Sequence, residues 1–254
     1  MNSLLPDGLS TFSGRIDSLF ILILVITGVV FVLVEIALVV FVIRWRRREG
    51  RKAQFVHGNN RLEIGWTAAT AVIVLALAFL SRALWLDLKH PDHFPEPGLE
   101  VGVHASQFEW NVTYPGPDAA IGTADDFVRR NQLHVPAGVI VRVVLTAEDV
   151  IHSFFLPEMR VKQDAVPGMS IPTWFEATTP GTYSIGCAEL CGLGHYRMRG
   201  TLTVHATDSF NEWQQTQLAI EAGADAAPAA VADVDAAAPD VTPVLAAQSA
   251  HAHH

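Results

Sequence analysis

The stretch GCAELCGLGHYRM contains side chains that could bind a metal ion. Cys187, Cys191, His195 and Met198 follow one another at short intervals in it, and His152 lies 35 residues before the first cysteine. Thiolate and thioether ligands favour copper over hard cations, and imidazole is also a copper ligand. The spacing therefore predicts a copper site in which one loop supplies most of the ligands.

Other interpretations of these residues stay open. The cysteines could form a local disulfide, Cys and His could hold structural zinc, or Met198 could be a core side chain. Structural zinc normally has four Cys or His ligands, which disfavours it here. A mononuclear blue-copper site needs one Cys, two His and a weak Met, and would leave one thiolate unused. Two thiolates on one loop suit a bridged pair of copper ions better.

Short β-rich segments separated by turn signals surround the candidate ligands. VIVRVVLTA precedes His152 and TYSIG precedes Cys187, while Pro/Gly/Asp-rich breaks such as YPGPDAAIGTADD suit sharp reversals. No helix-length amphipathic segment separates the strands, which argues against a βαβ sheet. The pattern predicts a β-sandwich or barrel at residues 95–206, in which separate strands can bring His152 beside the loop.

Two long apolar segments precede the β-rich region, at residues 18–43 and 64–88. Each has the length of about 20 residues needed to cross a hydrocarbon core of about 30 Å. The first lacks a small-residue cleavage motif and a basic leader, so we expect it to be retained. Trp66 and Trp85 lie where aromatic side chains prefer the membrane interface.

The connection between the spans, residues 44–63, fixes the expected orientation. Residues 44–61 contain seven of the 17 Lys and Arg residues but one of the 26 Asp and Glu residues. A short basic loop stays on the cytoplasmic side, because positive charge resists translocation. Residues 1–17, and everything after residue 88, are therefore predicted to be extracytoplasmic.

The C-terminal region has two parts. Residues 207–222 predict a helix that opens with a capping box of Ser209 and Glu212. Residues 223–254 are rich in Ala, Pro and Asp and poor in aromatic residues, so we expect them to be disordered.

From Glu148 to Val204 the sequence resembles cytochrome c oxidase subunit II. The family pattern H…C-x-E-x-C-x-x-x-H-x-x-M is met without a gap. The resemblance implies a membrane-anchored all-β protein, with a two-helix transmembrane hairpin followed by a cupredoxin-like Greek-key β-sandwich. It further implies the plasma (inner) membrane of a bacterium, with the copper domain outside.

The resemblance also implies a dinuclear copper centre of the CuA type, with two coppers per chain. The expected ligands are His152, Cys187, Glu189, Cys191, His195 and Met198. The two cysteine sulfurs would bridge both coppers. His152 and Met198 would complete one copper, and His195 with the backbone carbonyl of Glu189 would complete the other. The side chain of Glu189 would reach a magnesium ion at the boundary with subunit I.

Three further positions take their expected roles from the family. QFEWNVTY resembles its aromatic patch, where the first aromatic residue, usually Trp, receives electrons from cytochrome c. Phe108 occupies the position of that first aromatic residue. Its ring is smaller than that of Trp and has no N–H donor, so electrons are expected to arrive either through Phe108 or through Trp110. LEIGW resembles the segment whose Glu lies at the mouth of a proton path, which assigns that role to Glu63.

The function implied is that of the electron-transfer subunit of a proton-translocating haem-copper oxidase. Electrons would come from a cytochrome c-type donor and pass to haem in subunit I, the site of oxygen reduction. Subunit III and the lipid bilayer are further expected partners. No nucleic acid is expected as a partner. No C-x-x-C-H motif occurs, so no haem is expected in this chain. A basic donor would be steered by acidic groups. These are Asp118, Asp125, Asp126, Glu148, Asp149 and Glu158.

Three rival functions were weighed against this one. Subunit II of a quinol oxidase lacks the copper ligands, all of which are present here. A copper-containing nitric oxide reductase subunit is separated from an oxidase subunit only by its catalytic partner. A membrane-tethered copper chaperone also has C-x-x-x-C and a distant His, but it normally has one anchor helix and a thioredoxin-like βαβ domain.

Overall fold

The computed structural model describes residues 5–52, 55 and 57–223. Two long helices lead the chain: α1 spans Ser13–Trp45 and α2 spans Asn60–Lys89. At 1.5 Å per residue, both exceed the thickness of a hydrocarbon core. Their apolar side chains face outward, which confirms the two-helix anchor. The predicted disorder of residues 223–254 concerns residues outside this description, apart from Gly223.

Local signals fix the ends of α2. The Asn59 side chain accepts hydrogen bonds from the backbone N–H groups of Arg61 (3.1 Å) and Leu62 (3.3 Å), as an N-cap residue does. The helix ends at Lys89 because Pro91 cannot continue it. The helical part thus begins four residues before the predicted span.

A β-sandwich of two five-stranded sheets follows. Its strands are β1 Leu99–Ser106, β2 Glu109–Tyr114, β3 Phe127–Arg130, β4 Gln132–Pro136, β5 Ile140–Ala147, β6 His152–Leu156, β7 Val161–Ala165, β8 Ile171–Glu176, β9 Gly181–Cys187 and β10 Arg199–His205. The first sheet has the order β3-β2-β1-β5-β8 and the second β4-β10-β9-β6-β7. The pairs β1/β5 and β4/β10 are parallel and the other neighbours antiparallel. The predicted all-β domain is confirmed.

The core between the sheets comes from period-two alternation. Strands β1 and β5 place every second side chain inward over eight residues each, as a strand with one buried face does. Large inward side chains fill the interior, among them Trp110, Tyr114, Phe154 and Phe175, all fully buried. Tight packing of this kind holds strand ends in fixed positions.

The segment before α1 packs against the sandwich, which the sequence did not indicate. The backbone N–H of Leu9 donates to the carbonyl oxygen of Glu158 (2.8 Å), and Thr178 N–H donates to the Leu9 oxygen (2.8 Å). Phe12 is buried edge-on against Trp174, with ring centroids 5.1 Å apart. Because α1 begins at Ser13, directly after Phe12, the first residues of this helix are held against the β-sandwich.

Helix α3, Thr207–Glu221, covers one end of the sandwich. Trp213 stacks on the ring of His134, with centroids 4.3 Å apart and planes 11° apart. The His134 Nδ1 atom lies 2.8 Å from His205 Nε2, so the two rings share a hydrogen bond beneath the indole. The predicted capping box is wrong, because the helix begins two residues before Ser209 and its N-cap residue makes no side-chain hydrogen bond.

Acid should weaken this contact. Burial, followed by the neighbouring His205 and Arg129, lowers the pKa of His134 from 6.5 to about 4, and burial also lowers the pKa of His205. The folded state therefore binds fewer protons than the unfolded chain between these pH values. We expect the free energy of unfolding to fall as the pH drops from about 6.5 towards about 4. Denaturant titrations of the purified chain at each pH measure it.

A matched pair of variants isolates the contribution of the α3 contact. His134→Gln should make the free energy of unfolding less dependent on pH, because the imidazole with the lowered pKa is removed. His104→Gln, on β1 of the other sheet, should retain the wild-type dependence. Equal pH profiles for wild type and His134→Gln would contradict the assignment.

Candidate metal centre

The candidate ligands come together at one end of the second sheet. His152 is the first residue of β6, Cys187 is the last of β9, and Met198 immediately precedes β10. Strand β9 lies between β6 and β10, and the register pairs Phe154 with Cys187. The loop that joins β9 to β10 must therefore turn back over the start of β6, beside His152.

Short distances join the ligand atoms. The Sγ atoms of Cys187 and Cys191 lie 3.8 Å apart, and His152 Nδ1 lies 3.2 Å from the Met198 sulfur and 4.0 Å from Cys187 Sγ. Cys191 Sγ lies 3.7 Å from His195 Nδ1 and 3.7 Å from the Met198 sulfur. All five side chains predicted from the sequence thus share one cluster.

The sulfur positions suit metal binding and not a disulfide. A disulfide needs sulfurs about 2.05 Å apart, whereas both cysteines are free here. With metal–sulfur bonds of about 2.3 Å, two sulfurs on one metal lie at most about 4.6 Å apart, and the observed 3.8 Å falls inside that limit. His152, Cys187 and Cys191 each direct a ligand atom into this space. Soft sulfur donors with imidazole are the set that copper favours.

Burial keeps three of the five ligands away from water, whereas Cys187 and His195 are partly exposed. His152 is completely buried, and Cys191 and Met198 are almost so. Burial, and then the neighbouring Cys187, raises the pKa of the Cys191 thiol to about 11. That thiol is therefore protonated near neutral pH until a metal displaces its proton.

Asp149 orients the imidazole of His152. Its Oδ1 atom lies 2.9 Å from His152 Nε2, so that Nδ1 is turned towards the sulfurs. Burial pushes the pKa of Asp149 upward, but hydrogen bonds from His152 and from the backbone N–H groups of Gln107 and Val150 hold it below its usual range. The sequence had suggested only a steering role for Asp149; a carboxylate three residues before a histidine ligand is the signal that could have indicated this one.

Replacing Asp149 with asparagine should weaken metal binding about 10- to 100-fold, the usual effect of removing a carboxylate behind a histidine ligand. The amide keeps an acceptor for the backbone but lacks the charge that favours an Nε2–H tautomer. Competition with a chelator of known copper affinity measures the change. Glu148→Gln is the control, because that carboxylate lies 3.8 Å from His104 Nε2 and contacts no candidate ligand. Equal affinities of the two variants would refute the orienting role.

Phe108 lies against the ligand loop. A Cβ atom on Gly194 would overlap the Phe108 ring, and one on Gly192 would lie 2.7 Å from Gln107 Nε2. Gly192 also has a φ of 131°, which other residues rarely adopt. Both glycines are thus required for the ring to rest on the loop between Cys191 and His195, half-buried and reachable from outside.

Trp110 cannot offer a docking surface, contrary to one of the two expected routes. The alternation of β2 turns residues 110, 112 and 114 inward, and Trp110 is fully buried. Its ring centroid lies 6.1 Å from that of His152. A protein that docks on the surface can contact Phe108, whereas Trp110 is an internal neighbour of the cluster.

The other predicted positions lie apart from one another. The side chain of Glu189 is exposed, and its backbone oxygen accepts a hydrogen bond from Cys187 Sγ (3.2 Å). Glu63 is in the first turn of α2, at the end remote from the sandwich.

The six acidic residues expected to steer a donor do not lie together. Glu148 and Asp149 precede β6 at the metal end, whereas the three in the β2–β3 loop follow the far end of β2. Steering by all six together is therefore not supported by their positions.

The chain was compared with known proteins. Residues 113–204 match the family described as "Cytochrome C oxidase subunit II, periplasmic domain", and residues 1–84 match its transmembrane domain. Cytochrome c oxidase subunit 2 of Thermostichus vulcanus is 33% identical, over 86% of this chain and 80% of the relative. The alternative cytochrome c oxidase subunit 2 of Bradyrhizobium diazoefficiens is 32% identical, over 82% of each. A solved periplasmic domain of subunit II from Bradyrhizobium japonicum is 32% identical over 48% of this chain and 94% of that chain, with a TM-score of 0.41.

Proposed function

This chain belongs to the cytochrome c oxidase subunit II family, and from that membership we propose how it transfers electrons. It is the electron-transfer subunit of a haem-copper oxidase, an oxidoreductase complex. We propose that a dinuclear copper centre in its β-domain receives electrons from a cytochrome c-type donor. The observation that carries this proposal is the pair of free sulfurs 3.8 Å apart on one loop, between two imidazoles and a thioether.

The contacts support a division of the ligands between two coppers. Cys187 and Cys191 would be shared by the two metals. His152 and Met198, whose ligand atoms are 3.2 Å apart, would complete the ligands of one copper. His195, next to Cys191, and the backbone oxygen of Glu189, next to Cys187, would complete those of the other. The exposed carboxylate of Glu189 is then available to a magnesium ion shared with subunit I.

The protein keeps the ligands in place during electron transfer. A copper pair held by these residues would supply the one-electron redox chemistry. His152 is held by Asp149, and the buried sulfur atoms of Cys191 and Met198 are fixed by the packed core behind them. A site whose ligands do not move needs little reorganisation when its charge changes.

The positions of Phe108 and Glu63 support the following arrangement of partners. The donor contacts the surface at Phe108, above the ligand loop. The electron then passes to haem in subunit I, where oxygen reduction is coupled to proton translocation. Subunit III is a further member of the complex. Glu63, at the opposite end of α2, is then on the side where protons are taken up.

The basic connection between α1 and α2 supports one orientation in a bacterial plasma membrane. Residues 44–61 carry seven Lys and Arg and one Glu, so this connection stays cytoplasmic. The β-domain and the segment before α1, which pack against each other, then both lie outside.

Purification of the tagged chain from its own membrane in mild detergent tests the proposal. We expect a haem-containing catalytic subunit to co-purify, and the complex to consume oxygen when supplied with reduced cytochrome c. A preparation that oxidises quinol but not cytochrome c, or that reduces nitric oxide but not oxygen, would refute it.

A further inference from the structure

A cavity lies where the membrane helices meet the sandwich. It has a volume of about 310 Å³ and is bounded by the start of α1, the end of α2 and the edge of the sandwich formed by β7 and β8. We call it the junction cavity and define it by Leu19, Leu84, Leu88, Lys89, Arg160 and Lys162. Its size lies within the range of small-molecule sites. It is distant from the metal centre, because β6 runs from His152 towards the cavity side and β7 begins there.

The walls towards the membrane are apolar. Ile16 and Leu19 of α1 face Leu84 and Leu88 of α2, and Trp85 lies beside them. Tryptophan is enriched at the level of the lipid headgroups. This part of the cavity is therefore at the boundary between acyl chains and headgroups, on the side of the membrane that faces the β-domain.

The walls towards the sandwich are cationic. Every charged residue lining the cavity is basic: Lys89, Arg160 and Lys162. Arg160 is paired with Asp17 (2.7 Å), so its charge is balanced.

Lys89 Nζ donates to the carbonyl oxygen of Lys162 (2.7 Å) and to Gln163 Oε1 (2.9 Å). An ammonium group has three donors, and the third donor of Lys89 has no partner among the described residues, although the charge of Asp164 acts on this group. The Lys162 ammonium lies over the Phe155 ring, 4.7 Å from its centroid, and has no hydrogen bond from its side chain among these residues.

The combination selects one class of occupant. We propose that the junction cavity binds one anionic phospholipid from the leaflet that faces the β-domain. Its acyl chain lies between Leu19 and Leu84, and its phosphate accepts hydrogen bonds from Lys89 and Lys162. Basic pockets beside membrane helices bind anionic headgroups in this way. A free phosphate ion would leave the apolar wall uncovered, and a zwitterionic lipid would bring its own headgroup cation close to the two lysines.

A lipid in this position would hold the β-domain against its anchor. Two contacts already join them at the same level: Arg160 of the sandwich pairs with Asp17 of α1 (2.7 Å), and the Trp174 Nε1–H of β8 donates to the backbone oxygen of Asp87 in α2 (3.0 Å). The phosphate would add a link from α2 to β7 through the two lysines. This inference does not depend on the copper assignment.

Native mass spectrometry of the full chain in detergent tests the proposal. Dioleoylphosphatidylglycerol should bind as one retained molecule, at least about tenfold more tightly than dioleoylphosphatidylcholine, since the choline cation of the latter is repelled by the two lysines and offsets the charge of its phosphate. Lys89→Gln should lose that preference. Arg82→Gln, which removes a cation from the same helix but outside the cavity, should keep it. Equal binding of the two lipids, or equal loss in both variants, would overturn the proposal.

A second variant and a cross-link guard against misfolding and against another occupant. Ser81→Trp, which fills the cavity from the membrane side and leaves both lysines in place, should prevent retention of the lipid while the circular dichroism spectrum stays unchanged; retention would overturn the proposal. A photoreactive side chain at position 81 in the assembled oxidase should form an adduct of phospholipid mass. An adduct with another polypeptide would show that a protein helix occupies the cavity and would overturn it as well.

Discussion

Replacing Cys191 with serine is expected to abolish the dinuclear centre. The sulfur of Cys191 lies 3.7–3.8 Å from the sulfurs of Cys187 and Met198 and from His195 Nδ1, so it contacts ligands of both proposed coppers. A hydroxyl oxygen is a poor ligand for copper and cannot bridge two soft metal ions. Bound copper should fall to one ion or none per chain. Turnover with reduced cytochrome c should fall by more than about 100-fold, because even loss of an outer-shell partner costs 10- to 100-fold.

The matched control for this variant is Leu190→Ser. It introduces the same side chain one position earlier in the same loop, where Leu190 is 76% exposed and contributes no ligand atom. That variant should keep both coppers and most of its turnover. If Cys191→Ser retained two coppers and a shared unpaired electron, the bridging role of this sulfur would be wrong.

Replacing Phe108 with alanine is expected to impair reduction by the donor while leaving the copper content unchanged. The ring rests on the loop between Cys191 and His195 and is half-buried, so it is an aromatic surface beside the cluster that a docked protein can touch. Truncation of an aromatic side chain at the centre of an interface commonly costs 2 kcal/mol or more, which is above tenfold. We therefore expect kcat/KM for reduced cytochrome c to fall about tenfold or more.

Two further variants make this result specific. Phe108→Trp should restore kcat/KM, because the indole keeps an aromatic surface over the loop. Val128→Ala, an exposed apolar position at the far end of the domain, should have no effect. An unchanged kcat/KM in Phe108→Ala would mean that the donor contacts another part of the surface.

The side-chain cluster could be predicted from the sequence because most of it is local. Four of its five members lie between Cys187 and Met198, so their grouping needs only a loop that turns back on itself. The fifth, His152, could be included because it follows the strongly β-forming VIVRVVLTA, and separate strands of a sandwich can meet. Short β-forming runs separated by Pro/Gly/Asp-rich breaks likewise predict the sandwich, since both signals are properties of consecutive residues.

The features that could not be predicted depend on contacts between distant parts of the chain. The segment around Leu9 has no alternating pattern, and its backbone partners, Glu158 and Thr178, lie about 150 residues or more away. The junction cavity needs α1, α2 and the sandwich edge together. The predicted start of α3 at residue 207 agrees with the structure, whereas the capping box at Ser209 is wrong because the helix begins almost directly after β10, with Ala206 as its N-cap.

The burial of Trp110 could have been predicted. In EWNVTY the inward residues are Trp110, Val112 and Tyr114, so the alternation itself puts Trp110 in the core. The resemblance to the family's aromatic patch concerns residue type, whereas exposure depends on this periodicity. Phe108 precedes β2 and escapes the alternation, which explains why its ring can reach the surface above the ligand loop.

The central claim is that two sulfurs from one loop bridge two coppers. Electron paramagnetic resonance combined with copper quantitation on the purified, copper-loaded chain tests it most directly. The account predicts two coppers per chain and a mixed-valence signal from one unpaired electron shared equally between them. One copper per chain with a mononuclear signal, or no copper and a disulfide between Cys187 and Cys191, would contradict it.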